Sequence, residues 1–97
     1  MDKRQYEVGI ILRADMSDDD IAARLESLKA AVEQQDGSFE SIDHWGRRTL
    51  AYPIAKQRDG YYVFVKAQFP PALPAEVERL MRIDEAVLRY LVIRAEE

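Results

Sequence analysis

The sequence contains no cysteine, and it has only one histidine and one tryptophan among its 97 residues. Without cysteine the chain has no disulfide framework, no thiol nucleophile and no thiolate metal site. It also lacks an apolar run near the ~20 residues that cross a bilayer, and its first residues do not have the pattern of a cleavable signal. We therefore expect a cytoplasmic protein without a membrane segment.

The groups that commonly support catalysis are equally scarce. The single histidine, His44, has no nucleophile motif to accompany it, and Asp18, Asp19 and Asp20 lack the alternating spacing of a calcium-binding loop. The four glycines are scattered, so no glycine-rich loop is available to cradle a nucleotide phosphate. We expect no enzymatic activity, no metal, no cofactor and no small-molecule substrate.

Composition and charge indicate the class of protein. Apolar residues make up 47% of the chain and charged residues 33%, which is typical of one folded domain, here residues 1–97. The net charge of -4 argues against non-specific coating of nucleic acid, because that binding needs many cations. Acidic residues are concentrated between Asp15 and Asp36, whereas none interrupts the sequence from His44 to Arg58. Any contact with phosphate is expected to be local to that basic stretch.

Alternation and capping signals predict the first two elements. Residues 6–13 alternate with the two-residue period of a strand. Ser17 is a suitable N-cap, and the aspartates after it complement the positive end of a helix dipole, so a helix is expected to begin near Asp18. Its apolar stripe runs to Val32, and Gly37 is expected to terminate it.

A β-hairpin is predicted in the middle of the chain. An extended segment runs from Ser38 to about Tyr52, with a bulge or bend at Gly46. The polar segment from Lys56 to Gly60 ends in a turn signal, and it is expected to join this strand to the alternating residues 61–69.

A second helix and a final strand complete the order of elements. Pro74 suits the first turn of a helix, and Val87–Arg94 is rich in β-branched and aliphatic residues. The order βαββαβ folds most simply as an α+β, ferredoxin-like domain, with a four-stranded antiparallel sheet and both helices on one face. The other face is left uncovered, and Tyr62 and Phe64 are expected on it.

The basic stretch is the strongest functional signal. It combines cations and aromatic side chains, a mixture suited to phosphates and stacked contacts: Arg47, Arg48, Lys56 and Arg58 with Trp45, Tyr52 and Tyr62. Cations also protect exposed strand edges from pairing, so that interpretation stays open. The strand from Gly60 to Val65 lacks the core sequence of an RNA-recognition motif, and an exposed aromatic face fits a protein interface at least as well.

Four motifs occur in a recognisable order: Tyr6-Glu7-Val8, the segment Trp45–Ile54 with Lys56, Gly60-Tyr61-Tyr62, and Met81-Arg82-Ile83 leading to Val87–Val92. With them the chain resembles the family of the sixth protein of the bacterial small ribosomal subunit, over nearly its whole length. The resemblance implies a βαββαβ fold and a structural, non-catalytic role. It also implies two partners, the central domain of 16S ribosomal RNA and the more basic eighteenth small-subunit protein.

The resemblance also implies roles for individual residues. The side chains expected to face RNA are cations within the matching motifs, with one more near the N-terminus: Arg48, Lys56, Arg47, Arg82, Arg89 and Arg4. Trp45 and Tyr52 are expected to contact the partner protein. Thr49 departs from the pattern, since some relatives have a basic residue there, and this weakens any count of RNA contacts.

One alternative function stays open. The aromatic face and the net acidity also fit a protein-interaction module of the same fold, or an engineered family member that no longer binds RNA.

Overall fold

The computed structural model describes residues 3–95, and its elements follow the predicted order. The strands are β1 (Arg4–Arg13), β2 (Ser38–Ile54), β3 (Gln57–Phe69) and β4 (Val87–Arg94), and the helices are α1 (Asp18–Glu33) and α2 (Leu73–Ile83). All neighbouring strands are antiparallel, in the order β2-β3-β1-β4. The predicted ferredoxin-like fold is confirmed.

One layer of apolar side chains lies between the sheet and the helices. Alternate residues of β1 and β3 point into it, and Val8, Val63 and Phe69 are completely buried. Both helices contribute to the same buried cluster, through Ile21, Leu25 and Val32 of α1 and Leu73, Val77 and Met81 of α2. The helices therefore cover one face of the sheet, and no helix of residues 3–95 covers the opposite face, here called the open face.

Helix α1 begins where the sequence predicts. Ser17 has an extended backbone, and its Oγ accepts a hydrogen bond from the Asp20 N–H at 3.1 Å. Three aspartates occupy the first turn, where their charge complements the helix dipole. Neither this helix nor α2 has the length and apolarity to span a membrane, as judged over residues 3–95.

Helix α1 ends for a different reason from the one predicted. The helix stops at Glu33, and the residue with left-handed backbone is Asp36, with a φ of 67°. Gly37 is instead required by close packing, because a Cβ there would overlap the side chains of Val32 and Leu73. The absence of a side chain at Gly37 lets the end of α1 approach the start of α2.

The hairpin between β2 and β3 turns earlier than predicted. Ile54 pairs with Gln57, so the turn consists of Ala55 and Lys56, with φ values of 50° and 66°. Positive φ at both central positions matches the twist of the two strands. Gly60, expected in the turn, instead lies inside β3. A Cβ at that position would overlap the Ile11 side chain, so a glycine is needed there for space.

Candidate nucleic-acid interface

A bulge in β2 presents Trp45 on the open face. The pairing of β2 with β3 shifts between His44 and Gly46, and Gly46 has a φ of 87°, as expected for the predicted bulge. The indole ring packs on Phe64 with 4.5 Å between ring centroids, and its Nε1 donates to Asp43 Oδ2 at 3.2 Å. Trp45 is nevertheless 49% exposed, so about half of its surface is accessible to a partner.

Arg47 points to the helix side of β2. Its guanidinium donates to the carbonyl oxygens of Ala14 and Met16 at 3.0 and 2.7 Å and to Asp18 Oδ1 at 2.8 Å. Its Cζ also lies 5.4 Å from the centroid of the Tyr61 ring. Arg47 therefore ties β2 to the loop before α1. Its contact with RNA remains a prediction, and three of its five N–H donors are already used inside the chain.

Arg48, the next residue, points to the opposite side. Its Cζ lies 5.1 Å from the Trp45 ring centroid, so the guanidinium stacks over the exposed indole. Among residues 3–95 it forms no ion pair with a carboxylate. A guanidinium held on an aromatic ring in this way keeps its N–H donors for an external acceptor such as phosphate.

A second arginine and aromatic pair crosses the open face. The Cζ of Arg89, on β4, lies 5.6 Å from the Tyr52 ring centroid, on β2. These strands are opposite edges of the sheet, three strand spacings or about 14 Å apart. The hairpin must therefore bend over the open face for the two side chains to meet. Leu50, two residues before Tyr52, is only 8% exposed and lies close to Gly60.

The other predicted RNA-facing cations are spread over the molecule. Lys56 is exposed at the hairpin tip, and it has no ion pair with the described residues. Arg82 lies in the last turn of α2, in the helix layer. Arg4 begins β1 and pairs with Phe69, at the sheet end away from the hairpin. The hairpin side thus combines Arg48, Lys56 and Arg89, and it leaves Arg82 and Arg4 outside this group.

The open face also carries large apolar side chains that the sequence did not single out. Six large hydrophobic residues of the described chain are exposed, and five lie on this face: Trp45, Tyr52, Phe64, Leu91 and Ile93. Leu91 and Ile93 were missed because β4 is apolar on both faces, so alternation alone does not say which residues are covered. Counting the apolar residues on each face of β4 would have indicated that one of these apolar faces is exposed.

Several titratable groups on the surface form hydrogen-bonded pairs. Hydrogen bonding to Arg13 lowers the pKa of Asp15, and hydrogen bonding to Arg79 lowers that of Glu76. His44 Nδ1 lies 2.8 Å from the hydroxyl of Tyr61. Residues 3–95 contain no group of three or more side chains able to hold a metal ion.

Comparisons with known proteins match this chain to one family. A family model described as ribosomal protein S6 matches residues 5–94. The chain is 39% identical to small ribosomal subunit protein bS6 of Clostridium novyi, over 97% of this chain and 99% of that protein. It is 42% identical to the protein of the same description from Brucella canis, over 95% of this chain and 62% of that one.

A solved structure supports the fold. The crystal structure of 30S ribosomal protein S6 from Thermotoga maritima superposes with a TM-score of 0.89, over 97% of this chain and 89% of that one. The two sequences are 22% identical, so this likeness concerns the fold alone.

Proposed function

Because this chain belongs to the ribosomal protein S6 family, we propose that it binds the central domain of 16S ribosomal RNA jointly with the eighteenth small-subunit protein. Membership of the family makes it a structural protein of the small ribosomal subunit, in the cytoplasm. The expectation that it is not an enzyme is thereby confirmed.

The RNA proposal rests mainly on the surroundings of the Arg48 guanidinium. Its guanidinium is stacked over Trp45 and has no carboxylate partner among the described residues. Lys56 and Arg89 extend this cationic group along the hairpin and β4. Cations that are not paired with a carboxylate are free to neutralise backbone phosphates. We assign direct RNA contact to these three residues first, and to Arg82 and Arg4 only if RNA reaches around the domain.

The net charge explains why a partner is needed. A chain with a charge of -4 gains little from the long-range attraction that usually drives RNA binding. A more basic protein bound to it would reverse the sign of the field felt by RNA. Trp45 and Tyr52, exposed aromatics beside the cations, are the side chains we assign to that protein contact.

The test compares RNA binding by the partner alone with binding by the pair. We expect the wild-type chain to raise the affinity of the eighteenth protein for a central-domain RNA fragment. Replacing Arg48 and Lys56 with alanine should lower the RNA affinity of the pair about tenfold, because two phosphate contacts are lost. Filter binding at constant salt measures the effect.

The matched control is Arg79→Ala. It removes a cation from α2 whose guanidinium is already paired with Glu76 at 2.7 Å, so RNA affinity should stay unchanged. If the wild-type chain adds nothing to RNA binding by the partner, the proposal is wrong.

A protein-interaction module without RNA binding is the second candidate. The exposed apolar residues of the open face favour it, since such patches are typical of protein interfaces. That function predicts association with the partner that is unaffected by the double substitution and that brings no gain in RNA affinity.

A further inference from the structure

The end of the β2–β3 hairpin extends beyond the rest of the sheet. Strand β1 ends at Arg13, which pairs with Gly60, so residues 50–59, here called the hairpin arm, have no strand partner outside the hairpin within residues 3–95. A hairpin of two strands is only marginally stable in water by itself. We infer that Leu50 and Tyr52 are positioning residues that hold the hairpin arm, and with it Lys56, in place for contact with RNA. The RNA contact of Lys56 is taken from the proposed function, on which the inference rests in that respect.

An irregular pairing within the hairpin arm includes both positioning residues. Thr49 pairs with Asp59 and Ile54 pairs with Gln57, so β2 advances by five residues where β3 advances by two. The extra residues of β2 form a bulge within residues 50–53. A bulge re-aims side chains away from the regular alternation of a strand. Side chains of these residues can therefore reach parts of the molecule that a regular strand would not bring near them.

Leu50 packs at the base of the hairpin arm. It is 8% exposed, although it does not belong to the buried cluster between the sheet and the helices. A Cβ at Gly60 would lie 3.2 Å from Leu50 Cδ2 and would overlap Ile11, so both side chains occupy the space above this glycine. Ile11 alternates with Ile10 and Leu12, which are buried in the core, and so it lies on the open face. Leu50 is therefore buried against the open face, apart from the main core.

Tyr52 makes the second contact of the hairpin arm with the sheet. The Arg89 Cζ lies 5.6 Å from the centroid of its ring. Arg89 belongs to β4, the opposite edge of the sheet, and it pairs with Ile11 on β1. An exposed cation on an aromatic ring is a modest attraction, so this contact adds to the packing of Leu50. Two contacts at different points fix the direction of the arm.

The position of Lys56 depends on the hairpin arm. Lys56 lies in the turn at the tip, and it forms no ion pair with the described residues. A lysine on a mobile arm loses more conformational freedom when it binds phosphate than a lysine on an arm already in place. Holding the arm therefore raises RNA affinity without adding a contact.

Hydrogen exchange of the chain alone tests whether the two side chains hold the arm. Leu50→Ala and Tyr52→Ser should each raise the exchange rate of the amides of residues 54–58 about threefold or more, with β1 as slow as in the wild type. Leu50→Met and Tyr52→Phe, which keep an apolar side chain and a ring, should keep the exchange slow. If neither Leu50→Ala nor Tyr52→Ser speeds exchange in the arm, the inference is overturned without reference to RNA.

The matched control is Leu25→Ala, the same substitution at a buried site of α1 in the main core. It should lower the stability of the whole domain, because it leaves a cavity in the core. It should not raise exchange in residues 54–58 selectively. A selective rise in this variant would show that the arm responds to any loss of stability, which contradicts a specific role for Leu50.

A double-mutant cycle tests the effect on RNA binding, with the eighteenth small-subunit protein at saturating concentration. Lys56→Ala should lower RNA affinity about threefold in the wild type but less than about 1.5-fold in the Leu50→Ala background, where Lys56 is no longer held. In the Leu25→Ala background the loss should stay at about threefold.

The outcomes separate this inference from the proposed function. If Lys56→Ala lowers RNA affinity equally in the wild-type and Leu50→Ala backgrounds, the inference is overturned and the proposed function stands. The same holds if Lys56→Ala has no effect in either background while the wild-type chain raises RNA affinity. If the wild-type chain adds nothing to RNA binding by the partner, the proposed function fails, and the exchange rates still decide whether Leu50 and Tyr52 hold the arm.

Discussion

At the scale of single residues, Arg47 and Arg48 show how neighbours in a strand acquire different roles. Successive side chains point to opposite faces, so only one of the two can reach the open face. Arg47 donates to two carbonyl oxygens and Asp18 on the helix side, whereas the guanidinium of Arg48 lies over the indole of Trp45. The sequence treats both as equivalent cations, and their surroundings separate them.

Gly37 gives a prediction about packing. Replacing it with alanine should lower the free energy of unfolding by about 1–3 kcal/mol, the cost of overpacking, because Val32 and Leu73 occupy the space of the new Cβ. Gly9→Ala should cost less, since the neighbouring Phe64 ring is 39% exposed and can move. Urea unfolding of both variants makes the comparison. An equal or larger loss for Gly9→Ala would contradict this account.

Glu40 gives a prediction about pH. Its carboxylate accepts hydrogen bonds from Gln68 Nε2 at 2.9 Å and Gln5 Nε2 at 3.0 Å, and these bonds hold its pKa below the ordinary value. Because folding lowers this pKa, the ionised Glu40 carboxylate contributes its full stabilisation at pH values above the ordinary pKa of a glutamate. That stabilisation is lost as the pH falls through the lowered pKa.

The measurement compares Glu40→Gln with the wild type by urea unfolding at neutral and at acidic pH. The wild type should be the more stable at neutral pH, and the difference should shrink in acid. Glu26→Gln, on the exposed side of α1, is the control and should show a smaller pH dependence. If the difference in stability between the wild type and Glu40→Gln grew on acidification, the predicted direction of the pH dependence would be wrong.

At the scale of elements, the hairpin is where sequence reasoning and structure differ most. The dipeptide Asp59-Gly60 is a good turn signal, yet the turn forms at Ala55 and Lys56. The pairing explains the difference, because Gly60 is needed in β3 to make room for Ile11 and Leu50. Helix α1, by contrast, begins where its cap predicts, because Ser17 and the aspartates act locally.

The link between β2 and the loop before α1 gives a prediction at this scale. Arg47→Met should lower the free energy of unfolding by about 1 kcal/mol, mostly from the two bonds to carbonyl oxygens, since an exposed ion pair contributes little. Arg48→Met should leave stability nearly unchanged and should weaken RNA binding by the pair. Urea unfolding followed by the fluorescence of Trp45, the single tryptophan, measures the stability of both variants. If Arg47→Met weakened RNA binding at full stability, Arg47 would belong to the RNA surface.

At the scale of the whole molecule, charge is divided between two sides of the sheet. Helix α1 begins with three aspartates, whereas Arg48, Lys56 and Arg89, on the hairpin and β4, form no ion pair with the described residues. Under the proposed function, RNA binds on the side that carries these cations, away from the acidic start of α1. The proposed basic partner would supply the long-range attraction to RNA that a chain with a net charge of -4 lacks.

This division predicts the salt dependence of assembly. The logarithm of the affinity of the pair for RNA should fall linearly with the logarithm of salt concentration. Removing Arg48 and Lys56 should make that slope shallower by about 1–2, close to one unit for each lost phosphate contact. Binding measured between low and physiological salt gives the slope, with Arg79→Ala as the variant that should retain it. An unchanged slope in the double variant would exclude these residues from phosphate contact.

The sequence by itself determined the order of elements, the start of α1 and the family, because caps, alternation and the long central motif are local features. Tertiary structure decided what each cation does and which apolar residues stay exposed. Arg47 and Arg48 differ only through what lies on either side of β2, and Leu91 and Ile93 are exposed only because both helices pack on the other face. Such properties depend on contacts between residues far apart in the chain, and those contacts exist only after the sheet and its helices have assembled.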